Sequence, residues 1–241
     1  MPPKTPDRLS TILFGISLLG LALLTALTFS ISVTLVILPR QRLLTSSVFV
    51  AICVLGMAAA LYPSRCSGVL RFGRDQDERP RVKGAGTGES EVRHAGHHPT
   101  CSGFSSHVFR IGGKTRCAGC TGLVAGAIAS IAGGILYLLV GFNLGGAGPP
   151  IFWAGFVGVA CGLIPHSLLD LKRASVRLSL NFVLVFGAFL LLVGVNEITG
   201  NPVVAFFLLT LIAYWIYTRI MLSRQEHRRM CANCGLKECP Y

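Results

Sequence analysis

Between Leu178 and Val195 the chain reads Leu-Ser-Leu-Asn-Phe-Val-Leu-Val-Phe-Gly-Ala-Phe-Leu-Leu-Leu-Val-Gly-Val, without one charged side chain. A helix rises about 1.5 Å per residue, and crossing the hydrocarbon core of a bilayer takes about 20 predominantly apolar residues. This stretch comes close to that length, and five others share its character: about 10 to 38, 43 to 62, 121 to 142, 151 to 169 and 202 to 222. Apolar types make up 52% of the 241 residues and charged types only 13%. A soluble domain of this size does not need that balance. The fold class that follows is all-α, a polytopic membrane bundle of about six transmembrane helices with a Cys/His-rich insert between the second and third.

Lys4 and Arg8 precede the first apolar run, as in a signal peptide, but the run far exceeds the roughly 7 to 15 residues of a signal core, and a second span follows almost at once. It reads as a retained helix. The basic residues then set the orientation. Two lie before the first span, ten in 63–120, three (Lys172, Arg173, Arg177) after the fourth span and five from Arg219 onward; only Arg40 and Arg42 fall on the other side. The positive-inside rule places both termini in the cytoplasm of a multi-pass cell-membrane protein. The formal charge of +12 is thereby accounted for by topology and by attraction to a bilayer with an anionic inner leaflet, with no nucleic acid required.

Four segments follow: an N-terminal transmembrane hairpin over 1–62, a flexible basic linker over 63–96, an insert with four membrane helices over 97–222, and a Cys-rich cytoplasmic tail over 223–241. The linker carries charges of both signs and Gly84-Ala85-Gly86-Thr87-Gly88 with almost nothing apolar, the composition of a disordered segment. It lacks the strand and the Gly-Lys-Ser/Thr ending of a phosphate loop. Gly122-x3-Gly126 and Gly158-x3-Gly162 put small residues on one helical face and predict close helix packing. Cys53 and Cys161 read as small apolar fillers. His166 and Asp170, spaced i, i+4, read as a helix-end pair, and Asn196-Glu197 as a helix end or a cavity lining.

The chemistry is concentrated in the insert. His98 and Cys101 followed by Cys117 and Cys120 form H-x2-C-x15-C-x2-C, the two-knuckle spacing of a tetrahedral zinc site. Each knuckle converges two ligands on one ion, and four protein ligands leave no open position, so the site is of the structural kind. His97 and His107 are alternative ligands. A cytoplasmic location keeps these thiols reduced and favours metal ligation over disulfides. A second cluster, His227-x3-Cys231-x2-Cys234-x4-Cys239, offers one imidazole and three thiols and either binds its own ion or lends ligands to the first. Its Cys-Pro ending also suggests an iron-sulfur cluster, but a middle C-x2-C step is missing.

Phe109-Arg110-Ile111-Gly112-Gly113-Lys114 followed by Cys117-Ala118-Gly119-Cys120-Thr121-Gly122 resembles a family of small prokaryotic multipass membrane proteins, marked by an upstream Cys and a Cys-Ala-x-Cys-Thr-Gly motif entering a helix. Cys101 matches the upstream Cys, and Val176-Arg177 through Asn181 and Asn196 through Gly200 are similar to a later region. The resemblance covers roughly 95 to 202. It implies a membrane protein with a Cys-rich cytoplasmic motif and no established reaction. Ser102-Gly103 replaces a common His-Gln, and Gly119 a common Arg, so no role of that His-Gln pair carries over.

Three functions are compatible with these residues: a scaffold or sensor with a structural zinc site, a thiol oxidoreductase using Cys117 and Cys120 at a helix N-terminus, or a transporter with a Cys/His metal-loading platform. The last calls for charged residues deep in the spans, of which the sequence holds almost none.

Overall fold

The computed structural model describes residues 8–30, 39–61, 94–95, 98–99, 107–112, 114–139, 145–164 and 173–234. Within them the chain is almost entirely helical: α1 Arg8–Ser30, α2 Pro39–Leu61, α3 Ala118–Leu139, α4 Gly148–Leu163, α5 Ala174–Thr199 and α6 Pro202–Cys234. All but α4 are long and apolar enough to cross a membrane, and the chain is a multi-pass membrane protein. Two small antiparallel hairpins, β1 His94–Ala95 with β2 His98–Pro99 and β3 Val108–Ile111 with β4 Lys114–Cys117, precede α3. The remaining linker positions, together with His166, Asp170 and Cys239, lie outside the described residues.

α5 is the axis of the bundle, with α3 packed on one flank and α4 on the other. Both approach it through glycines. In α4, a side chain at Gly155 would come within 2.5 Å of the Leu191 backbone nitrogen, and one at Gly162 within 2.5 Å of Leu184 Cβ. In α3, one at Gly122 would strike the Leu178 carbonyl, and one at Gly126 would lie 2.8 Å from the Phe182 carbonyl. Lipid gives helices no hydrophobic reason to associate, so this backbone proximity is what supplies dispersion contact. Both expected small-residue pairs therefore act as packing faces. Ser130 adds a hydrogen bond from α3 to the Val185 carbonyl at 3.4 Å. α2 lies against α3, and α6 lies against α1, α2 and α5.

Two elements depart from the boundaries read from sequence. The fourth stretch, expected to run to 169, ends its helix at Leu163, where Ile164 turns extended (φ −55°, ψ 124°). Pro165 follows, and the residue before a proline is pushed out of the helical region. α4 is thus 16 residues long, and at its start Phe152 and Trp153 meet Phe29 of α1 in edge-on and stacked contacts. The sixth stretch, by contrast, continues past 222 to Cys234, because good helix formers occupy Ser223–Cys234 and no Gly or Pro occurs until Gly235.

The α5–α6 turn is built from its residues. Gly200 takes the left-handed conformation (φ 55°) and donates its N–H to the Asn196 carbonyl, Asn201 Oδ1 accepts from Val203 N at 2.8 Å, and Pro202 occupies the first helical position. Each residue type suits its place at a helix end.

Candidate functional site

Gly112 takes the left-handed conformation (φ 56°) at the turn of the β3–β4 hairpin, in register Val108↔Cys117 through Ile111↔Lys114. Gly-Gly between short strands is a strong hairpin signal, and the sequence reading, which treated this stretch only as an insert, passed it over. Cys117 ends β4 and Ala118, fully buried, starts α3. The Thr121 hydroxyl closes the first turn on the Cys117 carbonyl at 2.9 Å. One residue on the last strand position and one in the first helical turn bring the Cys117 and Cys120 thiols into hydrogen-bonding contact. Both are partly buried.

Gly119 sits between the thiol pair and α5. A Cβ there would lie 3.9 Å from Cys117 Sγ and 3.4 Å from Asn181 Nδ2. Asn181 belongs to a buried polar cluster that the sequence reading missed. Its amide donates to the Arg177 carbonyl at 2.8 Å, and its Oδ1 accepts from Arg219 Nε at 2.7 Å. Arg177 pairs with Glu226 at 2.8 Å, and the buried His107 places Nε2 3.8 Å from the same carboxylate. The hairpin, α5 and the extension of α6 are thereby joined at one end of the bundle.

Of the expected ligands, Cys117 and Cys120 come together, whereas His107 is seated at Glu226. Among the described residues no three His, Cys, Asp or Glu side chains gather in one metal-sized group. His98 contributes a β2 backbone position, and His97 and Cys101 lie outside the described residues. Positions 227, 231 and 234 fall in successive turns of α6 at i, i+4 and i+7; that spacing keeps them on one helical face. Cys53 and Cys161 lie within α2 and α4, Cys53 in the core.

The opposite end of α5 carries a second cluster. Glu197 pairs with Arg42 of α2 at 3.0 Å and accepts from the Tyr137 hydroxyl of α3 at 2.6 Å, while Arg42 also lies over the Tyr137 ring at 4.6 Å. Gln41 donates to the Gly200 carbonyl at 3.0 Å, and Asn196 to Thr45 Oγ1 at 3.4 Å. Asn196-Glu197 thus ends a helix and also ties three helices together. This ion pair also gives Arg42 a reason to lie on the side that carries few basic residues.

The sequence matches no protein-family model, and comparisons with curated proteins and with solved structures likewise find no match.

Proposed function

We propose that this multi-pass membrane protein is a scaffold or sensor whose Cys117–Cys120 pair supplies half of a cytoplasmic, structural zinc-type site, completed by His98 and Cys101. The observation that carries the reading is the contact between the two thiols where β4 becomes α3. A Cys-x2-Cys knuckle must aim two sulfurs at one point, and a contact between the two thiols at this strand-to-helix corner supports that reading. A zinc ion there holds its thiolate ligands deprotonated and fixes the hairpin to the start of α3. Three thiolates and one imidazole fill a tetrahedron, which leaves the ion a structural rather than a catalytic role. His227, Cys231, Cys234 and Cys239 form a second ligand set on and after the extension of α6.

Protection from alkylation tests this directly. With zinc bound, Cys117 and Cys120 of the purified protein resist a maleimide until a chelator is added, and then react fully. Equal rates with and without chelator exclude a metal on that pair.

The same contact also suits a second reading, a dithiol oxidoreductase using Cys117 and Cys120 as a C-x2-C pair. That reading expects metal-free protein to cycle reversibly between dithiol and Cys117–Cys120 disulfide at a defined potential. A pair that forms no such disulfide leaves the metal site.

A further inference from the structure

The Cys117 end of the bundle buries more hydrogen-bond donors than the residues described around it satisfy. Arg177 and Arg219 are each only 7% exposed. A guanidinium keeps its proton inside a protein, so wherever it is buried it needs acceptors. Glu226 serves one terminal nitrogen of Arg177, and Asn181 Oδ1 serves Arg219 Nε. Arg177 Nε has no acceptor among the described residues; neither have the Trp215 indole nitrogen and the Thr218 hydroxyl, both fully buried in the stretch of α6 leading to Arg219. Each of these three orphaned groups is able to donate, and a donor left unmet at membrane depth is costly. Donors beside two permanent cations select a ligand made of acceptors.

The depth of the cluster narrows the ligand. The apolar span of α6 ends at Ser223, and Arg219 and Glu226 lie on either side of that boundary, the level at which a bilayer carries its phosphates. The planar fork of a guanidinium matches two phosphate oxygens at once. Glu226, whose side chain is 23% exposed, is the most open member and marks the way in. Arg219 lies within electrostatic reach of both Arg177 and Glu226, so the three charged groups act as one site. We propose that Arg177 and Arg219 bind a phosphate oxyanion at the membrane boundary, presented either by an anionic phospholipid headgroup or by free phosphate. The proposal does not depend on metal at the neighbouring thiol pair.

The full chain, purified in a neutral maltoside detergent, is the material for the test, with the thermal unfolding midpoint as readout. In one arm inorganic phosphate is titrated against chloride at matched ionic strength; in the other, short-chain phosphatidylglycerol is titrated into mixed micelles against short-chain phosphatidylcholine. Saturable stabilisation in the first arm identifies free phosphate, and in the second arm alone a lipid headgroup. The apparent affinity is expected to fall about tenfold or more in Arg219→Gln and in Arg177→Lys, and to stay unchanged in Arg173→Gln, an exposed arginine just before α5. If either variant fails to fold, the wild-type arms still decide. No saturable response to either phosphate source beyond its control overturns the proposal, and so does wild-type affinity in the folded Arg177 and Arg219 variants.

Discussion

Glu197 stands near the end of a 26-residue apolar helix, and Arg42 and Tyr137 from two other helices converge on it. Breaking a fully buried ion pair costs about 3 to 5 kcal/mol, chiefly because a charge is left unpaired. Here the Arg42 side chain keeps 17% exposure, so Glu197→Gln is expected to destabilise the detergent-solubilised protein by roughly 2 to 3 kcal/mol. Arg42→Gln should cost clearly less in the Glu197→Gln background than in the wild type, which a double-mutant cycle by reversible unfolding measures. Full additivity would mean that the pair does not act as a unit. Neither partner was legible as such, since Arg42 and Glu197 are 155 residues apart and each alone reads as an interfacial charge. Asn181, Arg219 and Glu226 escaped for the same reason. The thiol pair was legible because its spacing is local.

Among the elements, α4 depends most on a single contact surface. A valine at Gly155 has no room against the Leu191 nitrogen and the Gly187 carbonyl, and since α4 lies against the central helix along its length, neither backbone can retreat. Overpacking typically costs about 1 to 3 kcal/mol, and Gly155→Val should lie at or above the top of that range. Gly15 of α1 provides the internal control: nothing lies within 4 Å of its added Cβ, and Gly15→Val should change stability by less than about 0.5 kcal/mol. Comparable losses at both positions would contradict the glycine-mediated packing of α4 on α5. The spans themselves were readable because lipid demands an uninterrupted apolar run, and the small-residue spacing pointed to the right faces. What went unread was punctuation. Pro165 stops α4 early, a turn at Gly112 makes a hairpin of a segment taken only as an insert, and the polar stretch after Leu222 propagates a helix that hydropathy alone ends at the membrane.

For the whole molecule, two polar clusters cap opposite ends of α5, one holding Arg42 and Glu197, the other Arg177, Arg219 and Glu226 beside the thiol pair. The distribution of Lys and Arg predicts that the second faces the cytoplasm. A cysteine at Gly146, exposed just before α4, should then be labelled in intact cells by a membrane-impermeant maleimide above the native background. One at Arg110, exposed on the β3–β4 hairpin, should be labelled only after the membrane is opened. The reverse pattern would invert the topology and remove the reducing environment on which metal ligation by these thiols depends. That ligation is most directly decided by elemental analysis of the purified wild-type protein beside Cys117→Ser, with Cys53→Ala as the buried-cysteine control. Loss of one equivalent of zinc per chain in Cys117→Ser alone is the predicted result, and equal metal content in all three proteins would contradict it.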